Sequence, residues 1–327
     1  MQLPNTQEIE AAQKIVYSAM PPTPQYSWPL LNQRLGAQAF IKHENHSPVG
    51  AFKLRGALVY VTWLKETQPS LTTVVAATRG NHGQGVGMAA RLLGLSAVIV
   101  VPKGNSKEKN LAMQAQGAQL IEYGEDFQES LEYARTLAAQ PNHAMVESLH
   151  PRLVMGAATY ALEFFRATPS LHTIYVPIGL GSSICGVSAV RNALGLKTEI
   201  VGVVAAASPS HAVSFRERRI VEAPSLTKIA DGLACRLPNA DAMEVIWENV
   251  ARIVEVSDAE IASAMRAYYQ DTHNLAEGAA AAALAGALQE KDRLDGQPLD
   301  RQSSIGIVLT GGNVDSELYK QVLEEAI

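Results

Sequence analysis

Along the chain, short runs of consecutive apolar residues alternate with longer segments in which apolar residues recur every third or fourth position. Residues 37–42, 73–77, 97–101, 119–123, 172–177, 199–204 and 305–310 read as strands. Residues 56–65, 84–93, 107–116 and 127–140 read as helices, the third closed by Gly117. Strands that are apolar throughout have both faces covered, which predicts an α/β fold with parallel sheets between helices. Several strands run into glycine-containing loops at their carboxyl ends, the edge where open α/β sheets bind ligands. No internal repeat or low-complexity linker interrupts the pattern, and residues 292–304 form the most polar, loop-like stretch.

Composition narrows the setting. Of 327 residues, 47% are hydrophobic and 18% charged, the balance of a folded protein with a sizeable core. The net charge is −5, and the densest basic run, Arg216, Arg218 and Arg219, is broken by Glu217. That argues against nucleic acid as a partner. Cys185 and Cys235 lack metal-ligand spacing, as do the histidines, so a reduced, cytoplasmic setting without a bound metal is expected. Residues 1–19 place Asn5, Glu8, Glu10 and Lys14 among apolar residues, unlike the core of a signal peptide. The apolar run 276–288 is too short to cross a bilayer, so no membrane partner is expected.

Three segments carry chemistry. In residues 47–57, Lys53 stands at a helix start behind Gly50 and Phe52. A helix N-terminus and apolar neighbours both disfavour an ammonium charge, and only an uncharged lysine amine attacks a carbonyl. The plainer alternative is a surface lysine whose stem packs on the helix. Residues 77–85 form a strand-to-helix junction, Thr78-Arg79-Gly80-Asn81-His82, whose free N–H groups suit a carboxylate or phosphate. A tight turn capped by Asn81 would account for it equally. Residues 177–186 hold Gly179, Leu180, Gly181, Ser182 and Ser183, and spaced glycines with two hydroxyls let a backbone close round a phosphate. The full dinucleotide fingerprint is absent there, and no phosphate-loop lysine follows.

Together these segments resemble the fold-type II pyridoxal-phosphate (PLP) enzymes, and within them the serine/threonine dehydratase and serine racemase branch. Gly50-x-Phe52-Lys53-x-Arg55-Gly56-Ala57 carries the resemblance. Gly80-Asn81-His82-Gly83-Gln84, Ala230-Asp231-Gly232-Leu233, Glu277-Gly278-Ala279 and Leu309-Thr310-Gly311-Gly312-Asn313 follow in family order. The resemblance implies two open, mainly parallel twisted sheets covered by helices. Residues 1–72 and 147–327 would form a large PLP-binding domain, and 73–146 a small substrate-binding domain. It also implies Lys53 as Schiff-base lysine and general base, Phe52 beside the cofactor ring and Asn81 on the ring hydroxyl. Gly179, Leu180, Gly181, Ser182 and Ser183 would surround the phosphate, with Gly232 and Glu277 in further pocket segments. Thr310 would meet the pyridine nitrogen, where a neutral hydroxyl favours expulsion of a β-leaving group over a long-lived carbanion. Backbone N–H groups near Thr78, Arg79, Asn81 and His82 would hold the carboxylate of a small amino-acid substrate. The activity implied is loss of water and ammonia from a β-hydroxy amino acid of the serine/threonine type, hydroxyaspartate and phenylserine included, by a homodimer. β-Replacement, racemisation and non-catalytic PLP binding are the alternatives on this fold.

Four departures from the family pattern bear on specificity. Val49-Gly50-Ala51 replaces the usual Thr-Gly-Ser, and Leu180 takes a glycine place in the phosphate loop. Arg79 stands where racemase-capable relatives carry a serine acid/base, and a guanidinium cannot exchange protons near neutral pH, so little racemisation is expected. Residues 203–208 carry no carboxylate where many relatives bind a divalent metal. The sequence stops soon after Asn313, so no regulatory domain is expected beyond it.

Overall fold

The computed structural model describes residues 1–291 and 304–327. Of the polar stretch 292–304, only Ser304 lies within the described residues. Ten strands occur among them: β1 (Gln25–Tyr26), β2 (Ala39–His43), β3 (Thr73–Ala77), β4 (Ser96–Val101), β5 (Gln119–Glu122), β6 (His143–Met145), β7 (Leu171–Pro177), β8 (Glu199–Ala205), β9 (Arg252–Val256) and β10 (Ser304–Leu309). One sheet runs β1-β2-β10-β7-β8-β9, the other β5-β4-β3-β6. Every neighbouring pair is parallel except β1 with β2. The fold is α/β, with two mainly parallel sheets between helices.

β3 and β10 are buried at every position, which is why they read as continuous apolar runs rather than alternations. β1, β6 and β9 did not stand out in the sequence. β1 and β6 are two and three residues long. β9, Arg-Ile-Val-Glu-Val, lies at a sheet edge, with only Val254 and Val256 buried and the other three positions partly buried. Among the described residues no helix is long and apolar enough to cross a membrane, and both cysteines are free and buried.

The helix Lys53–Thr67 joins the two halves of the site. Leu54, Ala57, Leu58, Val61 and Leu64 share a core with Val74 and Ala76 of β3 and Ile99 and Val101 of β4. On another side it meets the helix Pro151–Ala167 backbone to backbone: a Cβ on Gly156 would lie 2.4 Å from the Arg55 carbonyl oxygen. Its first turn is also locked by charge. Arg55 is fully buried; Nε donates to Glu44 Oε2 at 2.7 Å and Nη1 to Glu163 Oε1 at 2.7 Å. Lys42 Nζ donates to Glu163 Oε2 at 2.6 Å. Two cations thus face two carboxylates, a condition under which charge tolerates burial.

Candidate active site

The candidate segments converge beyond the carboxyl ends of β3, β7 and β10, the ligand edge of parallel sheets. Lys53 is the first residue of its helix, with Phe52 at the N-cap. Its Nζ lies 4.9 Å from the centroid of the Phe52 ring. Burial holds the ammonium pKa down to about 8, against the opposing pull of Glu277. A substantial uncharged fraction is therefore available near neutral pH, which the surface-lysine alternative would not give.

The stretch 50–52 is clipped to the chain after β10. Phe52 N–H donates to Thr310 O at 3.0 Å, and Gly312 N–H to Gly50 O at 2.9 Å. Gly50 has φ +67°, and a Cβ there would lie 2.6 Å from Asn313 Oδ1, so both backbone and space require glycine. Thr310 itself is buried at the end of β10.

Asn81 does not cap its helix. Gly80 occupies the cap position, and the Asn81 side chain reaches across the cleft instead. Its Nδ2 donates to Glu277 Oε1 at 2.7 Å, and its Oδ1 accepts from Asn313 Nδ2 at 2.8 Å. Glu277 is 5% exposed, and its Oε2 has no partner among the described residues. Burial raises its carboxyl pKa to about 7; Lys109, the Asn81 hydrogen bond and Lys53 oppose that rise, while Asp231 adds to it. His82 is buried beside this network, its pKa pushed down to about 4 by burial and by the Lys53 charge, so its ring is neutral.

In the Thr78–His82 loop, two N–H groups have partners within the protein. Thr78 N–H already donates to Val100 O at 3.1 Å, and Gly80 N–H to Thr78 Oγ1 at 3.1 Å. Among the described residues, the N–H groups of Arg79, Asn81 and His82 have no backbone acceptor of this kind. Thr78 contributes by shaping the loop through its hydroxyl.

In the third loop, a Cβ on Gly179 would lie 2.4 Å from Gly232 O, and Gly181, at φ +106°, caps the helix Ser182–Ala193. Leu180 is not among the residues with positive φ, so its backbone does not require the glycine of the family pattern. Ser182 and Ser183 are buried in the first helical turn, with Ser183 Oγ 2.6 Å from the Tyr160 hydroxyl. The open N–H groups of that turn suit a phosphate.

Sequence reasoning gave no site role to Asn313, Lys109 or Tyr160, and saw no partner for Asp231. Lys109 Nζ pairs with Asp231 Oδ2 across the cleft. Apart from the Gly-Gly-Asn run that holds Asn313, nothing local marks these residues, since their roles arise from segments far apart in the chain.

These groups fit PLP: an amine with lowered basicity, a glycine-tight helix start bearing two hydroxyls, and an uncharged hydroxyl in a buried wall. The chain matches the family model for pyridoxal-phosphate dependent enzymes over residues 16–311 and belongs to that family. It is 33% identical to an L-threo-3-hydroxyaspartate ammonia-lyase of Saccharomyces cerevisiae, over 92% of this chain and 90% of that relative. It is also 33% identical to an L-threonine ammonia-lyase of Geobacter sulfurreducens, over 90% of this chain and 72% of that relative. Among solved structures, maize serine racemase superposes with a TM-score of 0.90 at 26% identity, covering 99% of this chain and 98% of that one.

Proposed function

We propose that this protein is an ammonia-lyase that converts a β-hydroxy amino acid to a 2-oxo acid and ammonia. The observation that carries this is Lys53, an amine whose pKa burial lowers to about 8, set at the head of a locked helix between Phe52 and Glu277. PLP would supply an aldehyde that bonds amines and a ring that accepts the electron pair released at the substrate Cα. Phe52, Asn81, Thr310, Gly232, Glu277 and the Gly179–Ser183 loop would hold it. The N–H groups of Arg79, Asn81 and His82 would fix the substrate carboxylate. Lys53, once its amine is free, would take the Cα proton as general base. Thr310 and His82 are both buried. Arg79 gives no proton to the opposite face, which disfavours racemisation.

Residues 73–146 would act as a small substrate-binding domain, and the working form would be a cytoplasmic homodimer, a compartment that two free buried cysteines fit. The test is to incubate the PLP-loaded protein with L-serine, L-threonine and L-threo-3-hydroxyaspartate. Equimolar 2-oxo acid and ammonia are expected. Stable PLP binding without 2-oxo acid, or a product that retains the nitrogen, would sink the proposal.

A further inference from the structure

On the open side of Glu277 lies a cleft of about 170 Å³, walled by both halves of the molecule. Its charged lining is Arg79, Lys109 and Lys228 against Asp231, Asp315 and Glu277. Much of this charge is already satisfied. Lys109 pairs with Asp231, Asp315 Oδ1 accepts from Ser106 Oγ at 2.6 Å, and Glu277 sits in an environment that favours its protonated form. Among the described residues, neither the Arg79 guanidinium nor the Lys228 ammonium has an acidic partner. Both side chains are exposed to the cleft.

Their placement is informative. Arg79 leaves the same loop whose N–H groups would hold the α-carboxylate. A second acid group on a short substrate would therefore meet the side chain of a residue whose backbone binds the first. Lys228 lines the same cleft, its main chain anchored by N–H donation to Asp258 Oδ2 at 2.8 Å, and its ammonium has no acidic partner among the described residues. A planar guanidinium is suited to gripping a carboxylate with two parallel hydrogen bonds, and an ammonium adds a mobile charge.

We propose that Arg79 and Lys228 form a second-carboxylate subsite, so that the preferred substrate is a β-hydroxy amino acid with an acidic side chain. This rests on the ammonia-lyase reading above. An aliphatic or aromatic β-hydroxy amino acid leaves both cations without a partner, whereas a short dicarboxylate satisfies them.

The test uses PLP-loaded wild type, Arg79→Gln and Lys228→Gln in two measurements. In the first, kcat/KM is determined for L-threo-3-hydroxyaspartate and for L-serine. The wild type is expected to favour the acidic substrate. The ratio of the two values should fall at least about tenfold in Arg79→Gln, the scale of a lost charge-assisted hydrogen bond, and by a smaller factor in Lys228→Gln. In the second, calorimetry compares succinate with butyrate as unreactive ligands. Succinate should bind the wild type more tightly and lose that advantage in Arg79→Gln. A ratio unchanged in both variants, with succinate no better than butyrate, overturns the subsite. If no amino acid is turned over but succinate binding still depends on Arg79, the subsite stands and the ammonia-lyase reading falls.

Discussion

Asn81 donates through Nδ2 to Glu277 Oε1 at 2.7 Å, while the other oxygen of that carboxyl, Oε2, is buried and has no partner among the described residues. One group thus has its orientation fixed and its charge disfavoured. Because Asn81 is held in turn by Asn313, which also donates to Val49 O at 2.8 Å, four segments share one hydrogen-bonded chain.

The raised Glu277 pKa, about 7, makes stability depend on pH with a definite sign. Between the ordinary carboxylate range and pH about 7 the folded protein keeps a proton that the unfolded chain releases. This group's contribution therefore declines as pH rises through that window and is flat above it. Glu277→Gln keeps an oxygen for Asn81 and cannot ionise. Its stability relative to wild type should be higher at about pH 8 than at about pH 5. Urea midpoints of the two proteins at both pH values check this; equal differences would refute it.

Lys53 should capture PLP with a pH profile set by its own amine. Below a pKa of about 8 the uncharged fraction grows roughly tenfold per pH unit, and above it the rate levels off. An ordinary lysine would keep accelerating well beyond pH 9. Initial rates of yellow absorbance after mixing PLP-free protein with the cofactor follow the profile. Lys53→Ala should remain folded and develop no such absorbance.

The legible parts of this molecule were those written locally. Gly50, Phe52 and Lys53 stand together in sequence, and fully buried strands such as β3 and β10 announce themselves as apolar runs. What escaped lies in pairs far apart: Asn81 with Glu277, 196 residues away, and Lys109 with Asp231, 122 residues away. An asparagine or lysine of these kinds is common on any helix, and only the closing of the two sheets on one cleft gives it a partner. The helix start at Lys53, three residues before the apolar periodicity suggests one, is set by the Phe52–Thr310 hydrogen bond and by buried Arg55, neither of which the periodicity carries.

The Arg55 cluster should be a large stabilising feature. Arg55→Met removes the fork that satisfies Glu44 and Glu163 and leaves Lys42 as the only cation bonded to Glu163 among the described residues. Breaking a buried pair by removing one partner costs about 3–5 kcal/mol. Arg55→Lys keeps the charge without the fork geometry and should fall between. Chemical denaturation of the three proteins gives the ranking, and a loss below about 1 kcal/mol in Arg55→Met would show that the cluster relaxes without it.

Gly179 and Leu180 are neighbours with opposite expectations. A methyl group on Gly179 would lie 2.4 Å from the Gly232 carbonyl oxygen, and that oxygen belongs to backbone, so one of the two loops must move. The loop that moves is either Gly179–Ser183, proposed above to hold the cofactor, or the turn Asp231–Leu233 packed against it. Gly179→Ala should therefore weaken PLP affinity at least about tenfold, a loss of about 1.4 kcal/mol. Leu180→Gly restores the residue of the family pattern, yet Leu180 is absent from the positive-φ positions, so no strain is relieved. The added glycine brings only backbone freedom that binding must remove, costing about 0.5–1 kcal/mol. Equilibrium dialysis against PLP should find Gly179→Ala clearly impaired and Leu180→Gly within roughly fivefold of wild type. The reverse order would mean that the cradle is shaped at Leu180 and that the contact between Gly179 and Gly232 is incidental.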